Sequence, residues 1–382
     1  MADTDIAVVG AGPAGMALAL ALLQAGRMPM LLDARNRAAS REDPRVLALS
    51  HGSRQILERL GVWTQLAPTP IESIHVSQRG GFGRTLLHAR DYGLPALGYV
   101  LEANVLANVL DKVLARHNVV WRDGTTVQRV GVGSKSVDVL VSTPVGDDVV
   151  SARLVAYAEG AVAGGAKSVE RDYRQRAVLA IVKTLEPGES VAYERFTPNG
   201  PLALLPFGAG YAVVLTADEA TALEIGELGE PAFLARLQQE VGERLHFVSA
   251  TPRTTFPLTL RFRRSPVAAR QVWVGNSAQT LHPVAGQGFN LALRDVWELA
   301  TLLGAPDGKD AGAPDLLRRY AARRRLDRSS AIGFTDGLVR LFGSENLLLR
   351  AARGTGLLAL DLAPPLRDFV ARRMIFGARA WP

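Results

Sequence analysis

Residues 5–33 read "DIAVVGAGPAGMALALALLQAGRMPMLLD", and no other stretch restricts so strongly what the chain can fold into. Ile6–Val9 is a short apolar run suited to a strand buried on both faces. Gly10-x-Gly12-x-x-Gly15 follows at once, then an Ala/Leu-rich helix to Gln24, closed by Gly26. A second apolar strand, Met28–Leu32, ends in Asp33. Each part has a physical task. Gly10 permits a tight turn, Gly12 lets backbone approach a pyrophosphate, and Gly15 lets helix and strand pack closely. Phosphates then sit on the free N–H groups of the helix start, which puts Gly10, Gly12, Ala14 and Gly15 at a dinucleotide. Asp33, eighteen residues past Gly15, can accept from ribose hydroxyls. An acidic residue there favours FAD or NAD over NADP; the motif itself does not separate the first two.

The rest of the composition mostly excludes. With 382 residues the chain can hold two cores, or one domain interrupted by another. Cysteine is absent, which rules out disulfides, iron–sulfur clusters, thiolate zinc sites and a cysteinyl-linked flavin. The six histidines (51, 75, 88, 117, 246, 282) form no pair at ligand spacing, so no metal site is expected. A net charge of +7 suits an anionic cofactor, an anionic membrane surface or nucleic acid, besides a merely solvated arginine surface. Without aromatic–basic interleaving, nucleic acid is the weakest of these. No apolar run approaches the eighteen or so residues that span a bilayer. The acidic "MADTD" start does not read as a signal peptide, and a cytoplasmic protein is expected.

The middle of the chain departs from a plain dehydrogenase pattern. Residues 40–60 give a basic loop, a short apolar segment and an amphipathic helix. "SVDVLVST" and "VVSARLVAY" flank a Pro-Val-Gly-Asp turn, which predicts a β-hairpin over 136–157. Short strands are predicted at 177–183, 191–196 and 211–216, and a helix around 231–244. The segment 304–314, "GAPDGKDAGAP", is a loop. Late in the chain, "VGNSAQTLHPVAGQGFN" (274–290) concentrates glycines with Asn276, His282 and Pro283.

Together these segments resemble the FAD-dependent aromatic hydroxylases built like para-hydroxybenzoate hydroxylase, in their ubiquinone-biosynthesis branch. The resemblance rests on Gly10–Gly15, "RVLALS" (45–50), "IHVSQRG" (74–80), "ERFTPNGPLALLP" (194–206), "GNSAQTLHPVAGQGFNLALRDV" (275–296) and "RYAARRRLDRSSAIGFTDGLVRLF" (319–342). They follow the family's order along nearly the whole chain. The third and fourth segments point toward the bacterial 2-octaprenyl-6-methoxyphenol hydroxylases.

The resemblance implies an α/β fold: a Rossmann-like FAD-binding domain interleaved with a β-sheet substrate domain, plus C-terminal helices. Residues 1–70, 98–170 and 266–330 would form the FAD-binding parts. Residues 71–97 and 171–265 would form the substrate domain, and 331–382 a C-terminal helical region. Gly275-Asn276 stands where many relatives carry Gly-Asp, so Asn276 would accept from the ribityl chain, with Gly286, Gly288 and Asn290 at the flavin pyrimidine. Arg45 matches a family arginine that folds over the FAD phosphates, or is one of many surface arginines. Glu102 is either a cofactor-side polar group or a simple helix-start residue. His282 is either a ring contact or a capping histidine, and with Pro283 it is the only, weak, catalytic candidate; Tyr99, Tyr193 and Tyr211 qualify by residue type alone. Where relatives carry Asp-Gly-x-x-Ser, this chain has Glu159-Gly160 and no serine at that spacing.

The implied activity is hydroxylation of a polyprenyl phenol in ubiquinone biosynthesis, using NAD(P)H and O2 through a flavin C4a-hydroperoxide. The alternatives are the same chemistry at another ring position or with broad regioselectivity, or a flavin-binding structural subunit of a ubiquinone-synthesis complex. A lipid substrate would bring the chain to the inner membrane as a peripheral protein or to partner proteins. The basic amphipathic tail from 337 suits such contacts or a helical cap.

Overall fold

The computed structural model describes residues 3–39, 42–81, 83–162, 167–186, 188–282, 286–306, 310–342, 354–356, 358–359 and 361–378. Its first sheet contains β1 (Thr4–Val9), β2 (Pro29–Leu32), β8 (Val120–Arg122), β9 (Thr126–Val132), β10 (Val137–Thr143), β11 (Gly146–Tyr157), β18 (Val267–Ala268) and β19 (Gln271–Trp273). The strand order is β18-β19-β11-β1-β2-β8, and the β19, β11, β1, β2 and β8 pairings are all parallel. β10 and β11 form the hairpin expected over 136–157, with Thr143 opposite Gly146 at its turn, and β9, which was not expected, extends it to a meander.

Helix α1 (Pro13–Gln24) links β1 to β2, and everything from Gly15 to Leu22 in it is buried. It can be apolar all round because it is enclosed by the sheet, by α3 (Ala103–Leu114) and by α6 (Gln287–Leu303). Helix α2 (His51–Arg59) starts at Ser50, whose side chain accepts from the Ser53 N–H. A small antiparallel sheet of β3 (Val46–Ser50), β7 (Gly98–Glu102) and β4 (Thr69–Ile71) lies beside it.

The second sheet holds β5 (Ser73–Gln78), β6 (Arg84–His88), β12 (Ser168–Thr184), β13 (Val191–Thr197), β14 (Gly200–Phe207), β15 (Gly210–Asp218), β16 (Phe247–Ala250), β17 (Thr254–Arg263) and β20 (Gln279–Thr280). Its order is β20-β17-β12-β15-β14-β13-β5-β6, with β16 on β12. One face packs on α4 (Glu219–Glu227) and α5 (Glu230–Val241) through Val178, Val182, Leu202, Leu204, Tyr211, Val213, Phe233 and Leu237. Strand period two then turns the alternate residues to the other face.

β14 and β17 were not expected as strands. Pro206 and Pro257 demote them by pattern, yet both prolines sit in the ladder, opposite Tyr211 and Arg176. Helix α7 (Pro314–Phe342) runs unbroken through the expected division at 330/331. Its far end is tied to the second sheet, where Asp336 accepts from Arg171 at 2.6 Å and from Tyr173 Oη at 2.9 Å. The divisions expected at 70/71 and 170/171 pass through the ends of β4 and β12, and those at 97/98 and 265/266 fall between strands of different sheets. No described helix is long and apolar enough to cross a membrane. The described residues contain no metal-ligating cluster of His, Asp or Glu.

Candidate active site

A single cavity of about 1380 Å³ runs from the end of β1 to the open face of the second sheet. At its first end, Gly10 has φ +98°, and a Cβ there would stand 2.9 Å from the Ala158 backbone. Only glycine can make this turn without moving the chain that follows β11. Helix α1 then opens at Gly12 with Pro13 in its first turn and no side-chain cap. Gly10, Gly12, Pro13 and Ala14 line the cavity, so the uncapped helix start faces it. Gly15 does not line it; a Cβ at Gly15 would lie 1.9 Å from the Gly10 carbonyl oxygen, so its role is packing.

Asp33 is 4% exposed at the end of β2, accepting from the Ala11 N–H at 2.6 Å and the Arg35 N–H at 2.8 Å. Both Asp33 and Glu159 line the cavity. Partial burial, and then the nearness of Asp33, raise the Glu159 carboxyl above its ordinary range. Arg45 lines the wall too, in an exposed pair with Asp43 at 2.6 Å.

Halfway along stand Asn276, Gly286, Gly288, Phe289 and Ala292. Gly275 has φ +58°, and its missing Cβ would stand 2.8 Å from Ala292 Cβ, so glycine brings this loop onto α6. Asp295, 1% exposed, holds the loop by accepting from the Gly275 N–H at 3.0 Å and from Gln279 Nε2 at 2.8 Å. Arg324 of α7 donates to the same carboxylate at 2.6 Å and lies 2.7 Å from Asp327, which in turn pairs with Arg294 at 2.8 Å. Arg328 donates to Gln279 Oε1 at 2.6 Å. Burial alone would raise the Asp327 carboxyl, but Arg294 and Arg324 hold it well below the usual carboxylate range. This buried network was missed in the sequence, although Tyr320, Arg324, Asp327 and Arg328 follow helical spacing.

The far end of the cavity is the open face of the second sheet, with Ile74, Val76, Thr85, Leu87, Ala177, Leu179, Ala192, Glu194, Phe196, Ala203, Leu205 and Val214 on its wall. Glu194, also missed, is the one carboxylate among the described residues that line this end of the cavity.

Several expected contacts fall elsewhere. Tyr193 and Tyr211 point to the opposite face, toward α4 and α5, because each is an odd step from the cavity residues of its strand. Tyr99 packs edge-on against Trp63 at 4.8 Å, outside the cavity wall. Glu102 ends β7 opposite Val46, and its neighbour Ala103 lines the cavity instead. Asn290 is 2% exposed and spends its side chain as a strut, accepting from the Ser50 N–H at 2.8 Å and Ser53 Oγ at 2.7 Å and donating to the Ala48 and Gly286 carbonyls. His282 is 1% exposed, edge-on to Tyr173 at 5.6 Å and outside the cavity wall; burial pushes its imidazole down to about 4, so it is neutral at pH 7. Pro283 lies outside the described residues.

A glycine turn, an uncapped helix start and a strand-end carboxylate, opening into an apolar chamber floored by a second sheet, define a nucleotide-cofactor oxidoreductase site. Residues 3–334 match the FAD binding domain family. The chain is 32% identical to the ubiquinone hydroxylase UbiL of Rhodospirillum rubrum, covering 99% of this chain and 91% of that protein. It is 30% identical to the 3-demethoxyubiquinol 3-hydroxylase of Escherichia coli K12, covering 95% and 96%. Human COQ6, a mitochondrial ubiquinone biosynthesis monooxygenase, is 26% identical over 95% of this chain and 91% of its own length. The fold matches that of p-nitrophenol 4-monooxygenase from Pseudomonas putida DLL-E4 at a TM-score of 0.76, with 18% identity and 98% of each chain covered. The chain belongs to the FAD-dependent monooxygenases of the FAD binding domain family.

The residues present fit FAD. Gly12 has no atom nearer its missing Cβ than Arg35 at 3.9 Å, which leaves the helix start open to a phosphate. Gly286, at φ +59° and with Ala48 Cβ 3.0 Å from its missing Cβ, lets the start of α6 turn its N–H groups to the cavity.

Proposed function

We propose that this protein hydroxylates the aromatic ring of a polyprenyl phenol in ubiquinone biosynthesis, with NAD(P)H and O2 as co-substrates. The observation that carries this is one continuous cavity joining a dinucleotide loop to an apolar chamber. At about 1380 Å³ it exceeds the roughly 300–1,000 Å³ typical of a single small-ligand pocket. Bound FAD supplies the redox and oxygen chemistry. The chain's own residues bind, orient and keep water out. Gly10, Gly12 and Ala14 receive the pyrophosphate, Asp33 the ribose, and Arg45 a phosphate once it lets go of Asp43. Asn276, Gly286 and Gly288 meet the flavin end. Ile74, Val76, Leu205, Val214, Phe256 and Leu258 enclose the substrate ring and the start of its chain, excluding water from the reacting atoms. The sequence relatives named above are two hydroxylases of ubiquinone or a ubiquinol and a ubiquinone biosynthesis monooxygenase, which supports the substrate class and leaves the ring position to experiment.

The protein purified with FAD is expected to show a bound-flavin spectrum that NADH or NADPH bleaches without oxygen, faster when a prenylated phenol is present. Under labelled O2 the phenol should gain one labelled oxygen atom. A flavin that neither donor reduces would instead favour a structural subunit, in line with Glu159-Gly160 standing where relatives carry Asp-Gly-x-x-Ser.

We further infer a peripheral membrane contact through the C-terminal helix Pro364–Phe376. Leu366 and Phe369 are 47% and 55% exposed on it, three residues apart, beside Arg367, Arg372 and Arg373. Vesicles rich in anionic lipid should pull the protein down, neutral vesicles should do so less, and Phe369→Ser should weaken both. Equal recovery with all vesicles would sink the idea.

A further inference from the structure

We propose that Glu194 accepts the hydrogen bond of the substrate's ring hydroxyl and takes its proton as the ring is hydroxylated. The proposal rests on the reading above, that a phenol enters this chamber. Among the described residues lining the cavity, four carry carboxylates, and Asp33, Asp43 and Glu159 stand at the nucleotide end. Glu194 stands alone on the apolar face of the second sheet. In register it is flanked by Val76 of β5 and Ala203 of β14, neither able to hydrogen-bond through its side chain. Thr85 of β6 is one strand further, opposite Val76. The cations among the described lining residues are Arg35 and Arg45, which pair with Asp33 and Asp43, and Arg367 of the C-terminal helix. The neighbouring charges on β13 and β5 alternate away: Arg195 reaches Ser77 Oγ at 3.4 Å, and His75 pairs with Arg244 at 3.2 Å, on the other face.

A carboxylate in an apolar chamber is costly without a donor. A phenol hydroxyl is the donor such a chamber accommodates, since the ring packs on the aliphatic wall while its O–H reaches the one acceptor. Glu194 is open to the cavity yet enclosed by protein, and burial alone pushes its carboxyl up to about 7. That value suits a general base working near neutrality. In the step itself the phenol O–H bond breaks and an O–H bond forms on the Glu194 carboxylate. The freed electron pair delocalises onto the ring carbons ortho and para to the oxygen, which makes them better nucleophiles toward an electrophilic oxygen. The hydroxylated carbon then releases its own proton, which ends in the water formed from the second oxygen atom of O2; the C–H electron pair restores aromaticity, and Glu194 returns the phenol's proton to the ring oxygen.

The test is anaerobic binding to the FAD-loaded protein, read from the flavin spectrum. One ligand is a phenol carrying a single isoprene unit; the other is its O-methyl ether. Native protein should favour the phenol on the order of 10-fold or more above pH 7. The preference should fade as pH falls through about 7, because the protonated carboxyl is the weaker acceptor. Glu194→Gln should shrink the preference and remove its pH dependence, and Glu194→Leu should abolish it, with FAD still bound in both. In turnover, the acid-side fall of kcat near pH 7 should disappear in Glu194→Gln. Equal native affinity for phenol and ether, or a Gln variant that keeps the native pH profile, would overturn the assignment while leaving the substrate class standing. If the native protein binds neither compound, the substrate class fails and Glu194's role fails with it. The native pH dependence needs no variant, so a misfolded substitution cannot hide the answer.

Discussion

Arg324→Met is expected to unfold about 3–5 kcal/mol more easily than the native chain, the usual cost of leaving a buried charge unpaired. It should also lose much of its affinity for FAD. Arg324 and Asp295 are both nearly fully buried, 2.6 Å apart, so deleting the guanidinium strands the Asp295 carboxylate in the protein interior. That carboxylate also holds the Gly275 N–H and the Gln279 amide, so the loss passes directly to the loop that carries Asn276 into the cavity. Arg323, the neighbour on α7, makes a 2.9 Å pair with Glu298 at 44% side-chain exposure. Arg323→Ala should change stability by no more than about 1 kcal/mol. Urea unfolding and flavin titration of the two variants separate a network from a mere abundance of arginines. Equal effects from both would refute the network.

The same network sets the sign of the acid response. Asp327 has a folded pKa held below its unfolded value of about 3.9, so its stabilising contribution is complete above that value. It is lost as pH falls through the lower, folded value. Native stability should therefore drop steeply below about pH 4, and the same plot for Arg324→Met should be flatter.

Gly15→Ala is the second large effect. Its Cβ would come within 1.9 Å of the Gly10 carbonyl oxygen, a backbone atom that cannot swing aside. Helix α1 must move off β1, costing about 1–3 kcal/mol as overpacking does and turning its free N–H groups away from the pyrophosphate. The expected product is a less stable protein purified without flavin. Gly12→Ala provides the contrast: nothing but Arg35 lies within 4 Å of its Cβ, and its φ of −70° suits alanine. That variant should keep its melting temperature and lose flavin affinity, because the methyl group enters the space a phosphate needs. If Gly12→Ala also destabilised the fold, the glycine would be serving packing and not a ligand.

Legibility followed the range of the forces involved. The turn at Gly10, the helix end at Gln24 before Gly26 and the 136–157 hairpin could all be read ahead of the structure. Each is a local backbone requirement, a positive φ or a helix terminus, that a few adjacent residues satisfy. β14 and β17 could not be, since Pro206 and Pro257 argue locally against strands and only the neighbouring strands make them worthwhile. His282 drew notice because histidine is scarce here, and Asn290 because of the family resemblance. Asn290 spends its side chain on bracing, and His282 lies edge-on to Tyr173 outside the cavity wall, which residue type alone does not reveal.

By itself, then, the sequence determined that the chain builds a dinucleotide loop on a parallel sheet, and that a second glycine-rich segment lies late in the chain. The tertiary structure decided which residues meet in one cavity. α4 and α5 cover one face of the second sheet, so strand alternation sends Tyr193 and Tyr211 into a core and leaves Glu194 facing the chamber. α7 crosses α6 and carries Arg324 to Asp295, positions 29 residues apart in the chain. Backbone geometry is a property of adjacent residues and can be read from them; the face a side chain presents depends on what packs against it, and that is known only once the distant segments have come together.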